Sequence, residues 1–282
     1  MVENRPFLNL LAHLVLIVGV ALVAFPIYVA FIASTHGPSD FVSGLIPLAP
    51  GDQMLKTYGK LLTSGLDSSG MPPLWLQLGN SLIMALTISI GKIAISIISA
   101  FAIVYFRFPL RRTFFWMIFI TLMLPVEVRI LPTYQVAANL NLVDTYAGLT
   151  LPLIASATAT FLFRQFFLTI PDEYAEAARI DGAGPLRFFW DMVLPLSRTN
   201  IAALFVIMFI YGWNQYLWPL LVTTQESMYT TVIGIKRMIA GGDASNEWHL
   251  IMATAMLALM PPALVVVLMQ KWFVKGLVET EK

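Results

Sequence analysis

Pro171-Asp-Glu-Tyr-Ala-Glu-Ala-Ala-Arg-Ile-Asp-Gly-Ala-Gly-Pro-Leu-Arg-Phe-Phe-Trp-Asp-Met-Val-Leu-Pro195 is amphipathic, and it lies between two stretches that are almost wholly apolar, residues 146 to 168 and 200 to 222. Its local grammar is that of two short helices. Asp172 can cap the first, Ala-rich turns extend it, and Gly182 and Gly184 end it; Pro185 is placed to open the second, which stops at Leu194-Pro195. On the first helix Tyr174, Ala177, Ala178 and Asp181 share one face by three- and four-residue spacing. Small Ala side chains there would let another protein's surface approach the backbone closely. A connector lying on a bilayer surface has the same amphipathic pattern, so amphipathicity alone leaves both readings open.

The flanking apolar stretches are two of six, at approximately 8 to 33, 78 to 105, 114 to 135, 146 to 168, 200 to 222 and 249 to 273. Each offers roughly the 20 apolar residues that a helix needs to cross a hydrocarbon core of about 30 Å without leaving backbone groups unpaired in lipid. Pro125, Glu127, Arg129 and Pro132 interrupt the second half of the third, which therefore reads as kinked or partly unwound. Composition agrees: 58% of the chain is hydrophobic and 12% charged, where soluble domains carry about a quarter charged residues, and the mean hydropathy is +0.78. The expected fold is all-α, a polytopic membrane protein with six transmembrane helices in one domain over residues 1 to 282. Leu8 to Ala33 is too long for a signal-peptide core and lacks an Ala-x-Ala exit before Ser34, so it is expected to be retained as the first span. Net charge is +1, which disfavours a nucleic-acid partner. With no Cys, and with His13, His36 and His249 scattered, neither a metal site nor redox chemistry is expected.

Eleven of the 17 Lys and Arg residues gather at one end of the spans: Arg5, Arg107, Arg111, Arg112, Arg164, Arg179, Arg187, Arg198, Lys271, Lys275 and Lys282. The other end has Lys56, Lys60, Lys236 and Arg237. Basic loops resist translocation, so both termini are expected to be cytoplasmic. Of the outward connections, the longest, His36 to Gln77, is rich in Gly, Pro and Ser; Pro38, Pro47, Pro50, Pro72 and Pro73 argue against a folded domain there.

Glu176-Ala177-Ala178, three residues, Gly182, then nine residues to Met192-x-Leu194-Pro195 resembles the EAA loop of importer permeases in the ATP-binding-cassette superfamily; Met192 stands where that family usually has Ile. Phe106-Arg107-Phe108-Pro109, Tyr146-Ala-Gly-Leu-Thr-Leu-Pro152, Phe163-Arg164-Gln165-Phe166-Phe167 and Trp213-Asn214-Gln215-Tyr216-Leu217-Trp218-Pro219-Leu220 are similar to the carbohydrate-uptake branch. Within it, Met123-Leu124-Pro125-Val126-Glu127-Val128-Arg129-Ile130 and the ending Phe273 to Glu279 resemble the glycerol-3-phosphate permeases. The resemblance implies a type I importer permease fold in the bacterial inner membrane. It further implies a heterodimer with a second homologous permease, two copies of a cytoplasmic ATPase and a periplasmic solute-binding protein. It also implies that Tyr174, Glu176, Ala177, Ala178, Asp181, Gly182, Leu194 and Pro195 couple the chain to the ATPase. No cofactor and no enzymatic activity of its own are expected, because Gly59-Lys60 and Gly91-Lys92 lack the upstream glycine and following hydroxyl of a nucleotide-binding loop.

Lys92, Glu127 and Arg129 fall inside apolar spans, where an unpaired charge costs at least about 2.5 kcal/mol. Lys92 could pair with Glu127 and lock two spans, or Arg129 could meet a phosphate in the translocation path with its planar fork of donors. On a regular helix Glu127 and Arg129 diverge by roughly 200°. Asn214 and Gln215, flanked by aromatics, suit either a hydrogen bond between helices at the outer interface or contact with the solute. Pro261-Pro262 reads as a kink. Two other solute classes of reading stay open: a sugar or oligosaccharide on the same importer, and a stand-alone secondary carrier, which would also use intramembrane charges and broken helices.

Overall fold

The computed structural model describes residues 6–41, 48–64, 71–121, 124–240 and 247–278, with side chains at all of these but 6, 126, 127 and 273–278. Arg5, Pro47, Met123, Glu279 and Lys282, and the side chains of Glu127 and Lys275, thus lie outside the described residues. Every regular element within them is helical. α1 (Pro6–Ser34), α2 (Met54–Thr63), α3 (Leu74–Tyr105), α4 (Arg111–Ile120) and α5 (Val126–Asn139) come first. α6 (Tyr146–Thr150), α7 (Ala157–Phe167), α8 (Asp172–Ile180), α9 (Pro185–Phe188), α10 (Leu194–Leu196), α11 (Arg198–Trp213), α12 (Leu217–Val222), α13 (Thr231–Ala240) and α14 (Trp248–Val278) follow.

Three helices are each long and apolar enough to cross a bilayer, Phe7–Ser34, Leu74–Tyr105 and Trp248–Trp272. Two bent pairs bring the number to five: Tyr146–Leu153 with Ala157–Phe167, bent by 47°, and Pro185–Leu196 with Arg198–Trp213, bent by 71°. The remaining expected span, 114 to 135, is divided between α4 and α5, neither long enough alone, with Pro125 as the N-cap of α5. Pro132, by contrast, sits inside α5, and α14 runs on through Pro261 and Pro262 without interruption. The two bends have local causes. Ser156 caps α7, accepting from the Ala159 N–H at 3.2 Å, and so restarts a helix after the Leu151–Leu153 turn. Ser197, its hydroxyl donating to the Val193 carbonyl at 2.6 Å, turns the chain into α11.

The chain forms two compact units. The first comprises Met1–Trp75 and Gly234–Met260. Here the apolar side chains of α1 are almost all exposed, as lipid-facing residues are, since hydrocarbon replaces a protein partner. The stretch His36 to Gln77 holds, among its described residues, more order than its prolines imply. It contains α2, whose sequence carries none of them, and it is tied back by Thr35, which accepts from the Gly51 N–H at 2.8 Å through its hydroxyl and from the Gln53 N–H at 3.0 Å through its carbonyl. Lys60 meets Glu247 at 3.6 Å.

The second unit, Leu76–Ile233 with Pro261–Lys282, carries the expected site residues. Its α3 and α11 cross closely: a side chain on Gly212 would come within 2.9 Å of the Ala85 Cα, so only glycine permits the approach. At one end buried Asn80 donates to the carbonyls of Ser227 at 2.8 Å and Tyr229 at 3.0 Å, and accepts from the Tyr146 hydroxyl at 2.7 Å. Asp144 closes the same unit's connection after α12, accepting from the Thr224 hydroxyl, the Thr224 N–H and the Gln225 N–H. Burial alone would raise its pKa, but these hydrogen bonds win and hold the carboxyl below its ordinary range.

Candidate coupling surface and intramembrane cations

α8 begins after Pro171, and no side chain caps it. Asp172 is therefore the first helical residue instead of the cap: the fixed φ of Pro171 starts the helix one residue early, and Asp172 with Glu173 favours the helix dipole from inside the first turn. The other end closes as expected. Gly182 has φ +73°, its N–H donates to the Arg179 carbonyl at 3.0 Å, and the Ala183 N–H donates to the Ala178 carbonyl at 2.8 Å, which is a Schellman motif. A side chain on Gly182 would meet nothing within 4 Å, so the backbone angle, and not space, requires glycine.

Pro185 opens α9 with Gly184 as its N-cap. Phe189–Val193 then widens into a π-helical turn, and the helix ends at Leu196, past the expected stop at Leu194-Pro195. Pro195 cannot donate into the α ladder, and the wide turn just before it absorbs that defect instead of ending the helix.

The two helices are fastened to the chain's own core. Ala178, Phe188, Phe189 and Val193 are buried in one cluster with Ile97, Phe101, Phe163, Phe167 and Leu204. Phe101 and Phe189 have ring centroids 4.9 Å apart; Tyr105 and Phe188 meet near edge-on at 5.1 Å. This divides the face expected on the first helix. Ala178 points inward and is 8% exposed, whereas Tyr174, Glu176, Ala177, Asp181 and Gly182 remain open and Leu194 and Pro195 are half-buried. Between the helices lies a groove of about 170 Å³, with Ala177, Asp181, Phe188 and Met192 on its walls and the Arg187–Asp191 pair, 3.2 Å, at its rim. A groove floored by small and apolar side chains and rimmed by both charges can seat a short helix of another protein.

Deeper in the same unit, Lys92 is 6% exposed and its Nζ sits 3.6 Å from the centre of the Tyr211 ring. The ring face thus holds the ammonium by a cation–π contact, worth about 2 kcal/mol where water is excluded. Tyr211 was not among the residues singled out in the sequence, where a lone tyrosine in an apolar span gives no signal beyond packing. Gln215 donates to the Tyr211 carbonyl at 3.1 Å. Arg129, exposed near the start of α5, is close enough for its charge to act on both Lys92 and Tyr211. The structure therefore brings Lys92 onto the Tyr211 ring and ties Gln215 to the Tyr211 backbone, with the Arg129 charge within electrostatic reach. Asn214 is the C-cap of α11, with its side chain exposed. The expected Lys92–Glu127 pair rests on a side chain outside the described residues.

Residues 92–279 match the family described as binding-protein-dependent transport system inner membrane component. The sn-glycerol-3-phosphate transport system permease protein UgpE of Agrobacterium fabrum (strain C58) is 63% identical over 282 residues, the whole of both chains. The protein of that name from Brucella melitensis biotype 1 is 62% identical, and that from Escherichia coli O6:K15:H31 (strain 536) is 58% identical, each again over the full length of both. In fold the chain is similar to a bacterial ABC transporter involved in the import of the acidic polysaccharide alginate, with a TM-score of 0.81, 21% identity, and coverage of 97% of this chain and 99% of that one. A helical membrane chain with this matching segment, and with relatives this similar end to end, is a non-catalytic permease of an ABC importer; it belongs to the family of binding-protein-dependent transport system inner membrane components.

Proposed function

We propose that this permease passes sn-glycerol-3-phosphate, or a glycerophosphodiester, into the cell. The observation that carries the solute is the name shared by relatives 58 to 63% identical over the whole chain. The geometry supports it. A phosphate monoester is a compact anion, and Arg129 offers an exposed, planar fork of donors within electrostatic reach of a second, buried cation held on Tyr211. In this reading both units form one permease domain with six spans and cytoplasmic termini, in the bacterial inner membrane. A second homologous permease completes the pathway, one of two copies of a cytoplasmic ATPase binds the groove of α8 and α9 and the other the second permease, and a periplasmic protein delivers the solute. ATPase closure then rocks the spans and switches the cavity between inward and outward access.

Uptake per assembled complex tests the proposal. Arg129→Lys keeps the charge but loses bidentate geometry and lowers uptake partially; Arg129→Met nearly eliminates it. Normal uptake per complex in Arg129→Met refutes the phosphate contact. In parallel, ATPase activity of the reconstituted complex is measured with binding protein loaded with glycerol-3-phosphate or with a neutral oligosaccharide. Stimulation by the oligosaccharide alone would transfer the solute to the sugar class.

A further inference from the structure

Away from the groove and the Lys92 cluster, the second unit has a cavity of about 490 Å³ beside the first turns of α4 and one side of α7. Three guanidinium groups line it, Arg111, Arg112 and Arg164, and no carboxylate pairs with any of them among the described residues. Arg164 lies over the Phe115 ring, 4.2 Å from its centre, and its Nε is buried without a hydrogen-bond partner among the described residues. Among the described residues Arg111 reaches only the Phe106 carbonyl, at 3.3 Å, and Arg112 is exposed.

The local sequence makes this arrangement unfavourable as it stands. Arg111 and Arg112 are the first two residues of α4, where the helix dipole disfavours cations, and the first turn contains no acidic residue. The N-cap, Leu110, supplies no side-chain acceptor and sits at φ 61°. An anion at this end would satisfy the orphan Nε, the two terminal guanidinium groups and the uncapped helix start together. The rest of the lining is different in kind: Trp116, Phe119 and Phe161 contribute aromatic surface, and Trp116 is 56% exposed, as tryptophans at the headgroup level of a bilayer are. Free phosphate has no use for that surface.

We infer that this cavity holds the phosphodiester headgroup of an anionic membrane lipid, with the guanidinium groups on the phosphate and the aromatic surface along the glycerol and upper acyl chain. The site differs from the solute path and does not depend on which solute is carried.

The full complex is reconstituted in phosphatidylcholine bilayers doped with phosphatidylglycerol, extracted, and the lipid that stays bound is counted by native mass spectrometry. The wild type retains phosphatidylglycerol in preference to phosphatidylcholine. Arg112→Gln and Arg164→Gln each lower that preference about fivefold, with retained phosphatidylcholine unchanged. Arg112→Gln changes an exposed residue, so it keeps the test valid should Arg164→Gln fail to assemble. Excess inorganic phosphate leaves the lipid in place. The inference is overturned by a wild type without preference, by variants that match the wild type, by displacement with inorganic phosphate, which would mark a free-anion site, or by loss of the second permease chain with lipid retention unaltered, which would mark a protein interface.

Discussion

Ala177 and Ala178 are adjacent and chemically identical, yet the same substitution should disable them in different ways. Ala178→Asp places a carboxylate among Phe101, Phe188 and Val193, where the alanine it replaces is 8% exposed. Its packed neighbours are apolar, and Arg179 and Arg187 only line the small cavities that Ala178 borders, so the cost is at the lower end of that for a buried charge, about 3 kcal/mol. For a unit of this size that lowers the melting temperature by roughly 10 °C. Ala177→Asp faces the open groove instead. It meets Asp181 one turn on, a like-charge pair worth only about 0.2–0.5 kcal/mol, and otherwise leaves the fold within about 0.5 kcal/mol of the wild type. Both positions lie near the C-terminal end of α8, so the dipole penalty nearly cancels between them. The assay is thermal unfolding of the purified complex alongside its solute-stimulated ATPase. Ala178→Asp should unfold early. Ala177→Asp should keep its melting temperature and lose stimulation. Equal melting temperatures for the two variants would refute the inward placement of Ala178, and normal stimulation in Ala177→Asp would refute the groove as the coupling surface.

Gly182→Ala should lower stability by about 1–2 kcal/mol, the strain of a Cβ in the left-handed region, and show as a lower melting temperature of the purified complex; an unchanged melting temperature would contradict it. Asp144 has a native pKa below its unfolded one, so its contribution is full above the ordinary carboxylate pKa and is lost as pH falls through the lower native value. Melting curves between neutral and strongly acidic pH should therefore fall more steeply in the wild type than in Asp144→Asn, and parallel curves would contradict this. The native chain has no Cys, so single cysteines report topology cleanly: Arg187→Cys should react with an impermeant thiol reagent from inside only and Glu226→Cys from outside only, and the reverse would invert the proposed orientation.

What the sequence made legible was whatever a few neighbouring residues decide. The long apolar stretches follow from the solvent, because no other pattern satisfies the backbone in lipid. Gly182 and Pro185 announce the turn between α8 and α9 because a left-handed residue and a helix-opening proline have few substitutes. Legibility ended where partners are distant. Spacing placed Ala177 and Ala178 on one face, but Ala178 turns inward because Phe101, more than 70 residues upstream, packs there. Tyr211 beneath Lys92 was hidden for the same reason: an aromatic in an apolar span looks alike whether it packs on leucine or on an ammonium. The breaks in the fourth and fifth spans were missed for a different one. Hydropathy averages over Ser156 and over Asn214-Gln215, whereas a single cap or polar pair suffices to end a helix.

The α8–α9 loop and the buried cation share their supporting helices. Phe188, Phe189 and Val193 press on Ile97 and Phe101 of α3 and on Leu204 of α11, while the groove of the same loop stays open on its far side. α3 and α11 also approach closely where Gly212 faces Ala85, at a distance that a side chain at Gly212 would not allow. Lys92 belongs to α3 and Tyr211 to α11, so their contact bridges the same two helices. From Phe101 to Lys92 is nine residues, about 14 Å along the axis at 1.5 Å each. A load applied in the groove reaches both helices at once through the aromatic cluster. Because the two are joined near both ends, they turn as a body, and the ammonium moves with the ring that holds it. On the proposed coupling, a change of access at that depth requires no break in the Lys92–Tyr211 contact.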